Sequence, residues 1–133
     1  MKSNYHTHST WCDGADTPRR MVEAALARGF VRLGFTSHAM FPAAESFTLA
    51  PERAKDYVAE IRALAEEYRG RIEILCGFEA DYLPGVTAPD RARYAEWAPD
   101  YLIGSIHWVR AADSSTGTAA PSAARTQWME PIR

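Results

Sequence analysis

Strand-like and helix-like segments alternate through roughly the first 110 residues, and this alternation restricts the fold more than any other feature of the chain. "SNYHTH" (3–8) is a short strand-like run. "DTPRRMVEAALARGF" (16–30) reads as a helix: Thr17 suits the N-cap, Pro18 the first helical position and Gly29 the stop. "VRLGFTSH" (31–38) is a second strand, with Val31, Leu33 and Phe35 alternating. "LAPERAKDYVAEIRALAEEYRG" (49–70) is the clearest helix. Ala54, Tyr57, Val58, Ile61, Leu64, Ala65 and Tyr68 fall on one face at steps of three and four, and Gly70 ends the run. "RIEILCGFEADY" (71–82) is a third strand, "APDRARYAEWA" (88–98) a shorter helix and "DYLIGSIHWV" (100–109) a fourth strand. Such alternation implies an α/β fold of parallel β-α units with right-handed crossovers.

In barrels of this kind functional side chains gather at the C-terminal ends of the strands. His6 and His8 close the first strand, His38 the second, Glu79 the third and His107 the fourth. All four histidines of the chain and one carboxylate therefore share one rim. His6 and His8 are two apart, so an extended backbone points both imidazoles the same way. Asp13 stands on the loop just beyond. Each residue also has an ordinary reading: Asp13–Gly14 as a turn pair, His107 as a core histidine bonded to backbone, Glu79 as a strand-end carboxylate. The ordinary readings are independent of one another, whereas a metal centre accounts for every strand-end position at once. Histidine with carboxylate suits Zn, Mn or Fe. Two ions held by a shared carboxylate favour in-line phosphoryl displacement, so the rim predicts metal-assisted hydrolysis of a phosphate ester.

The bulk numbers exclude other classes. A chain of 133 residues suggests one domain, and 47% hydrophobic with 24% charged residues is ordinary for a soluble globular protein. A net charge of -2 supplies no basic footprint for nucleic acid. No apolar run approaches the ~18 residues of a membrane span. The start "MKSNYHTHST" lacks an apolar leader core, and Cys12 and Cys76 make no disulfide framework, so a cytoplasmic, reducing setting is expected. Both cysteines read as buried or flanking thiols rather than ligands. "FPAAESFTLAPERA" (41–54) is a candidate lid or substrate loop, with Arg53 either reaching a phosphate or standing as an ordinary exposed arginine. From about residue 111 the chain is rich in Ala, Ser, Thr, Gly and Pro without periodicity, and 111–133 reads as a low-complexity tail.

"YHTHSTWCDG", "GFTSHA", "GFEADYLPG" and "IGSIHWV" resemble, in order, the motifs of the PHP (polymerase and histidinol phosphatase) superfamily, and specifically its histidinol-phosphatase branch. The resemblance runs from about residue 4 to 109. It implies a distorted barrel of seven β-α units with up to three metal ions at the strand ends. It also implies hydrolysis of L-histidinol phosphate, a step of histidine biosynthesis, by a metal-bridged hydroxide and without a covalent intermediate. Carried over by motif, His6 and His8 hold the first ion, Glu79 bridges the first and second, His107 holds the second, and Asp13 with His38 holds the third. His6, His8, Glu79 and His107 then form the catalytic set.

The chain departs from that pattern after His107, beyond which it has no histidine. The family's further histidine and its Asp-x-His pair are absent, and Asp113 lies in no such pattern. The expectation is a truncated barrel, residues 1–110, of about four β-α units. A half barrel exposes its first and fourth strands as edges and opens its interior. A marginal fold, a dimer that completes the barrel, or aggregation is expected. Three readings follow: a histidinol-phosphatase; another PHP phosphoesterase, acting on nucleotides or nucleic acid; or an inactive metal-binding fragment. The expected partner is a small phosphate ester, with no nucleic acid and no membrane.

Overall fold

The computed structural model describes residues 1–41 and 46–107. The expected tail (111–133), with Asp113, lies outside the described residues, as do Trp108, Val109 and the centre of the candidate lid (42–45).

Four strands form one parallel sheet in the order β1-β2-β3-β4: β1 Lys2–Thr7, β2 Phe30–His38, β3 Glu73–Asp81 and β4 Tyr101–Ser105. Helix α1 (Pro18–Ala27) joins β1 to β2, and α2 (Ala54–Glu67) joins β2 to β3. The Thr17 hydroxyl accepts the Arg20 N–H at the start of α1, and Pro18 opens the helix. Gly29 and Gly70 take φ of 75° and 81° just past the two helices, a region open to glycine at no steric cost. Pro51–Arg53 forms a 3₁₀ turn, so the regular part of the second helix starts later than the sequence predicts.

The core lies between the helices and one face of the sheet. Leu33, Phe35, Ile74, Cys76 and Phe78 point to that face from β2 and β3, against Val22 of α1 and Ala54, Tyr57, Ile61 and Leu64 of α2. Val58 and Ala65, expected on the same stripe, pack at its margin. Val31 stands 43% exposed at the entry of β2, outside the alternation expected of it. Tyr57 joins the two central strands: its hydroxyl donates to the Gly77 carbonyl at 2.8 Å and accepts the Ser37 N–H at 3.3 Å.

Residues 88–98 do not form the expected α-helix. They form a 3₁₀ helix over Arg91–Trp97, capped by the Asp90 carboxylate on the Ala92 N–H and ended by Ala98 at φ 44°. Side chains three apart eclipse in this geometry. Tyr94 and Trp97 accordingly both pack on Phe78, with ring centroids at 5.5 and 6.2 Å. β4 is also shorter than expected and ends at Ser105, so His107 stands two residues beyond it. Asp100 sets its register, accepting the Cys76 N–H at 2.7 Å and Arg62 at 2.6 Å.

The sheet is curled. Flat strands spaced ~4.8 Å would put β1 and β4 about 14 Å apart, more than a tyrosine side chain spans. Yet the Tyr101 hydroxyl of β4 donates to the Tyr5 carbonyl of β1 at 2.6 Å. It crosses the concave face over Gly34 and Gly77, where an added Cβ would fall 2.1 Å from the Tyr101 hydroxyl and 2.8 Å from the Tyr101 carbonyl, respectively. The parallel β-α units are those expected from the alternation, and the curl gives the half barrel that the family resemblance implies.

Replacing Tyr57 by Phe removes both of its hydrogen bonds and leaves the Gly77 carbonyl buried. The expected loss is about 1–3 kcal/mol of stability, read as a lower urea midpoint at unchanged slope.

Candidate metal centre

Glu79 lies inside β3, two residues before its end, and is 5% exposed. Four imidazoles surround its carboxylate. His6 Nε2 is 2.9 Å from Oε2, His8 Nε2 3.1 Å and His38 Nδ1 3.4 Å, while His107 Nε2 is 3.6 Å from Oε1. Asp13 closes the far side: its carboxylate is 3.4 Å from His8 Nδ1 and 3.2 Å from His38 Nε2. The imidazole rings follow one another around the rim, with centroids 5.0 Å (His6–His8), 4.4 Å (His8–His38) and 5.0 Å (His38–His107) apart.

Local backbone explains each placement. His6 sits in β1 where the pairing register with β2 slips between Asn4 and Thr7, and the Asn4 side chain accepts the His6 N–H at 2.8 Å. His8 is one residue past the strand. The loop that follows folds tightly: Cys12 and Gly14 both donate to the Ser9 carbonyl at 3.0 Å, which turns Asp13 back over the rim. Gly14 is required there, since a Cβ would fall 2.4 Å from the Ser9 backbone nitrogen. His38 and Glu79 are directly paired across β2 and β3, and the Ala39 N–H extends that ladder to the Glu79 carbonyl at 2.8 Å.

The six residues singled out in the sequence thus lie in one cluster, which divides into three groups whose ligand atoms are mutually within 4.8 Å: His6–His8–Glu79, His38–Glu79–His107 and His8–Asp13–His38. Ligands about 2.0–2.1 Å from a common ion stand roughly 3.0–3.4 Å from one another. The His6–Glu79, His8–Glu79, His8–Asp13 and His38–Asp13 separations of 2.9 to 3.4 Å match that spacing. The donor set therefore fits divalent cations.

Three neighbours were not legible as site residues. Asp81, buried, accepts from the Ser105 hydroxyl at 2.9 Å and meets His107 Nδ1 at 2.5 Å. Its signal was its place two residues after Glu79, which puts it on the same strand face. Phe47 packs edge-on to His38 with centroids 5.4 Å apart. Cys12 Sγ lies 3.4 Å from His8 Nδ1 but belongs to none of the three groups. Arg53 is exposed, stacked over the Trp11 ring at 4.6 Å.

His8 is held above its ordinary pKa of 6.5, first by its hydrogen bond with Cys12, against the pull of burial, and then by the charges of Cys12, Glu79 and Asp13. For Cys12 burial pushes the thiol up, but hydrogen bonds with His8, Ser37 and nearby backbone outweigh it and the net direction is down. His38 is held below 6.5, chiefly by burial and then by the neighbouring His8. Cys76, by contrast, is pushed up to about 12 by burial, the state of an inert core thiol.

The two histidines act oppositely on the metal-free fold. His8, raised, contributes stability that is complete below 6.5 and lost as pH rises through its folded value. His38, lowered, contributes stability that is present above 6.5 and lost as pH falls through its folded value. In melts with chelator present, His38→Gln should flatten the acid-side fall of Tm below 6.5, and His8→Gln the fall above it. Wild-type slopes in both variants would contradict this.

The model of the PHP domain family matches residues 4–130. A protein of Deinococcus radiodurans assigned as a histidinol-phosphatase is 35% identical over 109 residues, covering 80% of this chain and 42% of that protein. The histidinol-phosphatase of Bacillus subtilis is 34% identical over 128 residues, covering 86% and 47%. The DNA polymerase/3'-5' exonuclease PolX of Bacillus subtilis is 38% identical over 108 residues, covering 80% and 18%. The chain thus spans less than half the length of these relatives. Among solved structures, a Listeria monocytogenes protein assigned as a histidinol phosphatase shares the fold at TM-score 0.70 and 24% identity, covering 86% of this chain and 50% of that one. The histidinol phosphate phosphatase of Lactococcus lactis, complexed with Zn, L-histidinol and phosphate, aligns at TM-score 0.58 and 28% identity, covering 81% and 41%.

Proposed function

The chain belongs to the PHP domain family, and from that premise we propose that its rim is a divalent-metal centre serving hydrolysis of a phosphoric monoester, histidinol phosphate. The observation that carries the reading is the convergence of four imidazoles on the single buried carboxylate of Glu79. An imidazole nitrogen facing a carboxylate oxygen repels it unless a proton or a cation lies between them. Four such approaches to one buried group are relieved together by divalent ions. His6, His8 and Glu79 would hold one ion; Glu79 and His107 a second; Asp13 and His38 a third, each imidazole giving one nitrogen to one ion. Zinc is the proposed ion, by the example of the Lactococcus structure, with Mn and Fe as alternatives that the same donors accept.

When bound, such ions polarise phosphoryl oxygens and make water a nucleophile near neutral pH. The chain's own part is placement. Glu79, held in the central strand, fixes the spacing of its neighbours. Asp13, on a loop locked by the Ser9 carbonyl, encloses the cluster from the side opposite Glu79. On the concave sheet face beneath, Tyr101 crosses Gly34 and Gly77 to bond the Tyr5 carbonyl, which ties the two outer strands below the rim. Among the described residues no helix is long and apolar enough to cross a membrane, and a cytoplasmic setting remains part of the proposal. So does self-association through the outer edges of β1 and β4, read out by light scattering.

The PolX relative favours a second reading, hydrolysis of phosphodiesters in nucleic acid. The net charge of -2 argues against it, since phosphate-backbone binding is carried by basic residues. In one assay series, zinc-loaded chain is given histidinol phosphate, nucleotides and single-stranded DNA. The proposal expects phosphate release from histidinol phosphate alone, abolished by chelator and by Glu79→Gln. Release from DNA or nucleotides instead would establish the second reading. A metal-loaded, folded chain inert to every substrate would leave only an inactive metal-binding unit.

A further inference from the structure

We propose that Asp81 is a positioning residue: it holds His107 in the tautomer protonated on Nδ1 and so turns the Nε2 lone pair toward Glu79. Its consequence for ion binding rests on the metal-centre reading above, but its geometry does not.

Asp81 is only 7% exposed, and a buried carboxylate needs donors. Two reach its Oδ1: the Ser105 hydroxyl at 2.9 Å and His107 Nδ1 at 2.5 Å. An ionised carboxylate only accepts hydrogen bonds, so the proton of the second contact belongs to His107 Nδ1. A neutral imidazole carries one N–H. Committing it to Asp81 leaves Nε2 as the free acceptor, and Nε2 is the atom 3.6 Å from Glu79 Oε1.

The arrangement follows from strand register. Asp81 is paired directly with Ser105 across β3 and β4. Glu79 lies two residues before Asp81, so both share the concave face with Ser105, and His107, two residues past the strand end, meets Asp81 at the rim. The remaining histidines differ. His8 and His38 face proposed ligands through both ring nitrogens, Glu79 on one side and Asp13 on the other. Among the described residues His107 is the histidine held by a carboxylate outside the proposed ligand set. It also stands past the end of β4, where no strand pairing orients it. A carboxylate on the far nitrogen supplies the missing orientation and raises the basicity of the near one.

The test is long-range ¹H–¹⁵N correlation on the metal-free, labelled full chain, followed as pH is raised until the His107 signals stop moving and the neutral ring is read, with His107→Gln to assign the signals. Wild type should show His107 protonated on Nδ1. Asp81→Ala should lose that preference, and Ser105→Ala, which removes the other bond to Asp81, should keep it. Asp81→Ser is a second variant whose short hydroxyl pairs with Ser105 without reaching His107, and it should behave as Asp81→Ala does. Zinc competition against a chromogenic chelator should then show about 10–100-fold weaker binding of one ion in the two Asp81 variants. Ser105→Ala should stay near wild type. A wild-type His107 protonated on Nε2, or a preference that survives both Asp81 variants, would overturn the proposal. So would a lost preference with zinc affinity unchanged. If wild type itself took up no zinc, the metal-centre reading would fail, while the tautomer signals would still decide whether Asp81 holds His107.

Discussion

The structure depends on one buried charge. The idealised cost of moving a carboxylate from water into a protein interior is of order 20 kcal/mol, and several kcal/mol remain after relaxation. Glu79 therefore exists at 5% exposure only because the chain surrounds it with donors or with cations. β3 carries it inside the sheet, and its neighbours come from every other strand: His6 from β1 and His8 from just past it, His38 from the adjacent β2, and His107 from beyond β4. No single element of the chain could supply that shell.

Curl is what brings the edges together. β1 and β4 are separated by two strands, and in a flat sheet His6 and His107 could not approach the same side chain. Gly34 and Gly77 clear the concave face, and Tyr101 lies over them to reach the Tyr5 backbone. Beside it, Arg32 pairs with Glu73 and bonds the Tyr5 hydroxyl, tying β1, β2 and β3 on the same face. The glycines thus act at a distance: their missing side chains let the sheet close far enough for the rim to form.

Much of this was readable in the sequence because it is local. Parallel β-α units follow from alternation, the buried stripe of α2 from steps of three and four, and the caps at Thr17, Pro18, Gly29 and Gly70 from single residues. The grouping of His6, His8, Asp13, His38, Glu79 and His107 also follows, since strand C-termini in a parallel sheet share one side. What was not readable depends on contacts between elements. The segment 88–98 has a helical pattern, but packing both Tyr94 and Trp97 on Phe78 draws it into a 3₁₀ helix. The depth of the curl rests on Tyr101 crossing two glycines from other strands. Asp81 has no part in the sequence reading, because only the register of β3 with β4 puts Ser105 and His107 against it.

The central claim is that Glu79 and its histidines form a cation site. Zinc-edge X-ray absorption on the zinc-loaded chain addresses it directly. The account predicts nitrogen and oxygen neighbours at about 2.0–2.1 Å, with the outer-shell scattering of several imidazoles, and a sharp loss of that imidazole signal in Glu79→Gln. A sulfur shell at about 2.3 Å, placing the ion on a cysteine, would contradict it. So would a spectrum without imidazole scattering.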